Sequence, residues 1–153
     1  MTKKNLNEYN KDFYAWTMHN SELLRQGKMS EVDIENVAEE IESMGKSEKR
    51  ELINRLALLL SHLLKWTFQS PRRSNSWKYT IKEQRIQLED LLEESPSLKA
   101  SLEEKMAHAY EHSIVITIRE TGLDEKTFPK ECPFSLKQTL DKNFFPEFSN
   151  PFA

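Results

Sequence analysis

The chain has 153 residues, of which 37% are hydrophobic and 31% charged, and this indicates one soluble domain because chains usually divide at about 100–200 residues per domain. Its 22 basic and 25 acidic side chains give a net charge of −3, which provides no overall attraction to nucleic acid or to an acidic membrane. Three glycines are too few for glycine-rich phosphate loops or for the many turns of an all-β architecture, so an all-α fold is predicted.

The compartment follows from what the sequence lacks. No apolar run approaches the roughly 20 residues of a bilayer span, and residues 1–5 lack the apolar stretch of a signal peptide. The one cysteine, Cys132, permits no internal disulfide. We therefore expect a protein of the reduced cytoplasm without membrane contact.

Two apolar stripes at helical spacing occupy the first part of the chain. The first stops at Gly27, which suits the left-handed residue after a last helical turn. The second follows a capping sequence at residues 30–33 and reaches Gly45, after which Ser47 can cap a restart. We expect a kink or break at Gly45, because residues 31–68 as one helix would span about 57 Å, roughly twice its neighbours. The stripes are Tyr9, Phe13, Trp16, Asn20, Leu23 and Leu24, then Ile34, Val37, Ala38, Ile41 and Met44.

Further helices are predicted downstream of Ser47. A leucine seam over residues 52–66 is expected to be the most buried segment, and Pro71 ends it. Polar residues at positions 74–76 cap a third helix, and Ser95 followed by Pro96 starts a fourth. That fourth helix stops at Gly122, and a short helix follows from Ser135 to about Asn143. Residues predicted to face inward are Trp77, Ile81, Gln84, Leu88, Leu91 and Leu92 in the third helix and Leu98, Leu102, Met106, Ala109, Tyr110, Ser113 and Ile116 in the fourth.

These elements predict a single all-α domain over residues 1–153. Residues 8–122 form an antiparallel bundle of about four long helices with an extra N-terminal helix, and residues 123–153 form a C-terminal aromatic arm. Left free, the arm would expose a large apolar area, so we expect it to dock on the bundle or, in a homodimer, on the second subunit. Its phenylalanines are Phe128, Phe134, Phe144, Phe145, Phe148 and Phe152.

Charge is segregated along the chain. An acidic segment, residues 30–45, contains six acids and no base, and a basic segment, residues 65–85, contains six bases and only Glu83 as an acid. Solvated faces explain both, but Arg72 and Arg73 stand just before the third helix, whose first amide groups would suit an anion. The acids are Glu31, Asp33, Glu35, Glu39, Glu40 and Glu42, and the bases are Lys65, Arg72, Arg73, Lys78, Lys82 and Arg85.

Reversals near Arg72 and Pro96 would bring three polar residues into one layer of the bundle. His62, Gln84 and Tyr110 would then lie within about two helical turns of each other, with Arg85 at the rim. One interpretation is a satisfied polar layer that fixes helix register. The other is a small pocket whose neutral histidine accepts or delivers a proton.

Metal and nucleophile chemistry receive little support. Glu104, His108 and His112 share a helix face, but that face is displaced by about 200° from the Met106 stripe and should point to water. Cys132 has no assignable base and is interpreted as a partly buried thiol. We therefore expect no metal and no cofactor.

A series of motifs runs over nearly the whole chain. They are residues 12–16, 23–27, 38–45, 62–66, 76–77, 81–85, 95–98, 121–122, 128–129 and 132–133, together with Tyr110. In this order they resemble the family called domain of unknown function twenty-nine. The resemblance implies an all-helical bacterial protein, common in cyanobacteria, without an established activity or catalytic residues to carry over. This sequence departs from the family pattern at Lys46, where arginine is frequent, and at Phe134, where tryptophan is frequent.

The sequence favours binding or assembly over catalysis, because no catalytic constellation can be assembled from it. The first hypothesis is a protein-interaction module that uses the acidic segment or the aromatic arm. The alternative is an anion or nucleic-acid binder that uses the basic segment, and a metal-dependent hydrolase is a weaker alternative.

Overall fold

The computed structural model describes residues 8–147. No strand occurs in that part of the chain, so the predicted all-α class is confirmed. A helical turn at residues 8–11 precedes five helices. These are α1 (Phe13–Arg25), α2 (Ile34–Phe68), α3 (Asn75–Glu94), α4 (Lys99–Thr121) and α5 (Leu136–Leu140), with short 3-10 turns at Ser70–Arg72, Pro96–Leu98 and Glu125–Thr127.

Local capping chemistry explains several helix ends. Gly27 and Gly122 follow α1 and α4 with φ of 71° and 72°, the left-handed conformation that favours glycine. Ser74 caps α3, since its hydroxyl accepts from the Trp77 amide at 3.2 Å. Ser135 forms a capping box at the start of α5. These ends agree with the sequence prediction, apart from the earlier end of α5.

Helix α2 is continuous through Gly45, so the expected break at that residue is wrong. A glycine inside a helix costs only about 1 kcal/mol relative to alanine, and good helix formers such as Lys46 and Glu48 follow it. An ion pair between Glu42 and Lys46 at 3.1 Å also spans the glycine. Ser47 therefore lies inside the helix and does not cap a restart.

The chain divides into two compact units, Met1–Glu48 and Lys49–Ala153, and the prediction of a single domain over residues 1–153 stays a prediction. In the described part of the first unit, the Tyr9 hydroxyl donates to Glu40 at 2.6 Å and the Trp16 indole to Asp33 at 3.0 Å. Tyr9 precedes Trp16 in the chain, whereas its partner Glu40 follows Asp33. The two segments are therefore antiparallel, and α1 and the start of α2 form a helical hairpin. Its buried side chains are Trp16, Asn20, Leu23, Val32 and Asp33.

The second unit has an extensive apolar core. The leucine seam of α2 supplies its centre, because six of the leucines between Leu52 and Leu64 have no exposed surface. This confirms the expectation that the segment is the most buried one. Ala57 of α2 also belongs to the core. The remaining members come from α3, α4 and the residues after α4, and they are Ile81, Leu88, Leu102, Ala109, Tyr110, Phe128 and Phe134.

Cross-helix pairs give the order of the helices within the second unit. Arg55 donates to Gln84 at 3.4 Å, and the Lys65 ammonium lies 5.9 Å from the centre of the Trp77 ring, so α2 and α3 run in opposite order. The Ser61 hydroxyl of α2 lies 2.8 Å from the Thr117 hydroxyl of α4, so these two helices are also in contact. The antiparallel bundle of four long helices stays a prediction for the chain as a whole.

The described part of the aromatic arm, residues 123–147, contacts the helices of the second unit. Phe128 and Phe134 are buried in the core, and Phe144 and Phe145 pack against it. The Phe145 ring centre lies 5.1 Å from that of Trp66. Phe148 and Phe152, which belong to the predicted arm, lie outside the described residues.

Candidate functional site

Arg72 and Arg73, the predicted anion pair, are both exposed but differ in their contacts. Arg73 lies 4.9 Å from the Trp66 ring centre, and its Nε donates to the Trp66 carbonyl at 2.8 Å. Its Nη2 also donates to the Pro146 carbonyl at 3.4 Å. Arg73 therefore links the end of α2 to the arm, whereas the exposed Arg72 makes no such contact.

His62 and Gln84, two members of the predicted polar layer, have other partners. The Nδ1 atom of His62 lies 3.0 Å from the Leu58 carbonyl of its own helix, and burial lowers the pKa of the imidazole. Gln84 accepts instead from Arg55, which lies two helical turns before His62. Hydrogen bonds therefore do not join His62 to Gln84, and a shared ligand pocket stays a prediction.

Arg85 and Tyr110, the other two members, are buried and bind carbonyl groups of the arm. Tyr110 donates to the Pro129 carbonyl at 2.5 Å, and burial raises the pKa of its phenol to about 12. Arg85 donates from Nε to the Thr139 carbonyl at 2.8 Å and from Nη2 to the Gln138 carbonyl at 3.4 Å. Arg85 therefore binds carbonyls at the C-terminal end of α5, and Tyr110 binds a carbonyl of the irregular segment that precedes α5.

One nitrogen of the Arg85 guanidinium has no partner. Its Nη1 atom is buried and has no hydrogen-bond partner. Burial lowers the pKa of the guanidinium to about 10, and the nearby Asp141 carboxylate opposes this shift. A cationic donor that has lost water without gaining a partner costs about 1–3 kcal/mol or more.

A polar seam between α2 and α4 was missed by the sequence reasoning. Ser61 and Thr117 are fully buried and share a hydrogen bond, and Lys65 forms an ion pair with Glu120. The Lys65 ammonium holds the pKa of the Glu120 carboxyl below its usual range. Ser61 and Lys65 are one turn apart on α2, and Thr117 and Glu120 are one turn apart on α4. This spacing predicts paired contacts only when the two helices are already known to pack together.

The acidic segment divides into buried and exposed residues. Asp33 is fully buried, and its Oδ2 accepts from Trp16 and, at 2.8 Å, from Asn36, while its Oδ1 has no partner. Glu40 accepts from Tyr9 and raises the pKa of that phenol. Both residues therefore support the hairpin of the first unit. The exposed acids of the segment are Glu31, Glu35, Glu39 and Glu42.

The second predicted stripe is not a buried face. Ile34, Ile41 and Met44 are 55%, 63% and 69% exposed, so three large apolar side chains on α2 lie in solvent. These three members of the predicted stripe therefore contribute nothing to a core. The hairpin contacts use other positions of the helix, such as Glu40, which accepts from Tyr9.

The residues considered as metal ligands or as a nucleophile do not form a site in the described part of the chain. His108 and His112 are exposed neighbours with Nε2 atoms 3.2 Å apart, and Glu104 is exposed as well. In residues 8–147, no group of three or more histidine, cysteine, aspartate or glutamate side chains is arranged to hold a metal ion. Cys132 is half-buried, and burial raises the pKa of its thiol.

The fold and these contacts define an all-helical protein in which most of the predicted polar residues bind other parts of the same chain. The chain belongs to the family described as Domain of unknown function DUF29, whose sequence model matches residues 8–145. No curated protein and no solved structure matches it. Among the described helices, none combines the length and apolar character needed to cross a membrane.

Proposed function

We propose that this protein is an interaction module whose first unit binds a basic amphipathic helix of a partner protein. The observation that carries the proposal is the exposed apolar face of α2, formed by Ile34, Ile41 and Met44. At 100° per residue these positions fall within an arc of about 80°, so they form one narrow apolar stripe along the helix. Ala38, also exposed, lies next to this arc.

The apolar surface is concentrated in the first unit. Isolated exposed hydrophobic residues are ordinary, but contiguous ones mark interaction sites. Of the eleven large hydrophobic side chains that are exposed in residues 8–147, eight precede Glu48. They are Phe13, Tyr14, Met18, Leu24, Met29, Ile34, Ile41 and Met44, and the other three are Tyr79, Ile86 and Val115.

Charge selects the partner. Glu35 and Glu42 are exposed and lie about 80–100° around the helix from Ile34, so they border one side of the apolar face, and Glu39 lies just beyond them. Glu42 is already paired with Lys46 at 3.1 Å, which leaves Glu35 and Glu39 to attract a cationic partner. A second copy of the same face would bring these carboxylates against each other, which is unfavourable. A helix with apolar residues on one side and lysine or arginine at its edges complements both features.

The proposal is tested with a synthetic helical peptide that carries leucine on one face and lysine at its borders. The parent protein is expected to bind it with an affinity that falls as salt rises, because rim charges are screened. The double variant Ile34→Ser with Ile41→Ser should weaken binding by at least tenfold, whereas Val115→Ser, an exposed apolar residue of the second unit, should leave it unchanged. Equal effects of the two variants, or equal binding of a peptide with glutamate in place of lysine, would contradict the proposal.

Mass in solution distinguishes the other possible occupant of this face. Light scattering of the parent protein is expected to give a monomer at all concentrations tested. A concentration-dependent dimer that is lost on Ile41→Ser would assign the face to a second copy of the chain, and the basic-helix partner would then be wrong.

The alternative of a nucleic-acid binder has weaker support. Three of the six bases in the basic segment bind groups within the chain: Lys65 binds Glu120, Arg73 binds Trp66, and Arg85 binds Thr139. The bases left are Arg72, Lys78 and Lys82. Three phosphate contacts would give only a shallow dependence of affinity on salt, and measuring that slope with single-stranded DNA tests this alternative.

A further inference from the structure

The second unit contains a cavity whose lining is rich in cations and includes Arg85, the residue whose Nη1 atom has no hydrogen-bond partner. The cavity measures about 290 Å³, at the lower end of the usual size for a ligand site. Its lining residues are Lys82, Arg85, Ile86, Lys142 and Asn143. Three of these five residues are cationic and none is acidic, so the chemistry of the wall is that of an anion site.

We infer that this cavity, named here the Arg85 cavity, binds a small oxyanion such as a phosphate or carboxylate group. The inference does not depend on the proposed function, because all of its residues belong to the second unit. Arg85 anchors the anion through Nη1, and Lys82 supplies the second cation at the mouth. Asn143 adds an amide, and the apolar surface of Ile86 accommodates an organic substituent on the ligand.

The state of each guanidinium nitrogen supports this assignment. The Nε and Nη2 atoms of Arg85 are committed to the carbonyls of Thr139 and Gln138, which fix the orientation of the side chain. The Nη1 atom is buried and has no hydrogen-bond partner, and the Arg85 residue as a whole is only 2% exposed. A charged donor held in place and stripped of water is preorganised for an oxyanion, because binding costs it neither rotamer freedom nor further desolvation.

The neighbouring charges favour this cavity over the adjacent one. Lys142 is already paired with Glu89 at 2.8 Å, so Lys82, which lies over the Tyr79 ring, is the exposed cation that remains for the ligand. The second cavity that Arg85 lines measures about 360 Å³ and includes Glu89 and Glu93, whose carboxylates repel an anion. Asp141 lies near enough to interact with the guanidinium, but it does not line the Arg85 cavity.

The experiment measures the thermal stability of the full chain in inorganic phosphate, in acetate and in sodium chloride of matched ionic strength. At an oxyanion concentration one hundred times the dissociation constant, the melting temperature is expected to rise by roughly 5–10 °C above that in chloride. A rise in phosphate alone assigns a phosphate ligand, and a rise in acetate alone assigns a carboxylate. No rise in either, relative to chloride, overturns the inference.

Variants then locate the site. Lys82→Ala removes an exposed side chain and should weaken phosphate or acetate binding by about tenfold in calorimetric titration without changing the fold. Arg72→Ala removes the solvent-facing arginine of the basic segment and should leave binding unchanged. Loss of binding in Arg72→Ala, with binding retained in Lys82→Ala, would place the anion at the turn before α3 and overturn the inference.

Arg85 itself requires a variant that keeps the charge, because its removal would release the arm. Arg85→Lys should retain the fold, as checked by circular dichroism, and lose most of the affinity, since one ammonium cannot serve the Thr139 carbonyl and the ligand together. Unchanged affinity in a folded Arg85→Lys protein would also overturn the inference.

Discussion

The two units of the chain bury different amounts of their apolar side chains. Of the seventeen hydrophobic residues that are buried in residues 8–147, only Trp16, Leu23 and Val32 belong to the first unit. The same unit contains most of the exposed large hydrophobics. The second unit therefore encloses a core of its own, whereas the first displays apolar surface that contacts within the chain do not use. This difference supports the docking face that is proposed for the first unit.

Polar groups differ between the units in a related way. In the first unit the hydrogen bonds of Asp33 and Glu40 hold two helices together around a small core. In the second unit Arg85 and Tyr110 bind the carbonyls of an irregular arm that covers a large core. Hydrogen bonds therefore contribute more to holding the first unit together, and apolar burial contributes more in the second.

The largest expected effect compares one buried and one exposed aliphatic residue. Leu60→Ala leaves a cavity in the core of the second unit and should lower the free energy of unfolding by about 2–5 kcal/mol. Ile41→Ala removes an exposed side chain of the first unit and should change it by less than about 0.5 kcal/mol. Urea unfolding measures both. Similar losses for the two variants would mean that Ile41 is covered in the folded protein, and the comparison between the units would fail.

The next effect concerns the buried carboxylate of the first unit. Asp33→Ala leaves the Trp16 indole and the Asn36 amide without their acceptor, which should cost about 1–3 kcal/mol. We expect faster amide hydrogen exchange in α1 and no change in α4, as read by nuclear magnetic resonance. Glu35→Ala, an exposed acid two residues away, is the matched control and should leave both helices unchanged. Equal acceleration in α1 and α4 would show that the two units open together.

The sequence predicts the fold further than it predicts the site. Helix ends follow from local chemistry, as at Gly27 and Gly122, and the core follows from the spacing of leucines in α2. Tyr110 is also correctly predicted to face inward, whereas Arg85, expected at the rim of the polar layer, is buried as well. Their partners are 19 and 54 residues further along the chain, beyond the reach of any local pattern, so no spacing identifies which carbonyl each one binds.

The apolar stripe within the acidic segment shows what the spacing of residues cannot predict. Periodicity identifies the stripe of Ile34, Ile41 and Met44 as apolar, but it does not state what covers the stripe. A stripe that faces the core and one that faces a partner have the same spacing, and only the exposure of the side chains separates them. Asp33 and Glu42 likewise look alike as charges in sequence, although one is fully buried and the other exposed.

A smaller effect tests whether the low helix propensity of a glycine reduces the stability of the first unit. Gly45 lies within α2 with open space where a Cβ atom would stand, so Gly45→Ala should raise the free energy of unfolding by about 0.5–1 kcal/mol. Gly27 has equal space but a φ of +71°, so Gly27→Ala should lower it by about 1–2 kcal/mol. Chemical unfolding of both variants gives the two signs. A destabilising Gly45→Ala would indicate that close approach of backbone at this residue is required.

The smallest expected effect is a pH dependence that arises in the second unit. Burial lowers the pKa of His62 below its ordinary value of 6.5, and the neighbouring Lys65 acts in the same direction while Glu120 opposes it. The unfolded chain therefore takes up the proton first as the pH falls. Stability should decline from pH 6.5 downward until the folded-state pKa is reached, and it should be independent of this group above about pH 7.5.

His62→Gln isolates this contribution, because every other group of the chain is the same in both proteins and cancels in the difference. The decline in unfolding free energy between pH 7.5 and 5.5 should be smaller in His62→Gln than in the parent. The Glu120 carboxyl, whose pKa is lowered through Lys65, loses its contribution only as the pH falls below about 4.5 and so does not overlap this window. An identical slope in parent and His62→Gln would show that the imidazole is as hydrated in the folded chain as in the unfolded one, and the half-buried position of His62 would then carry no electrostatic consequence.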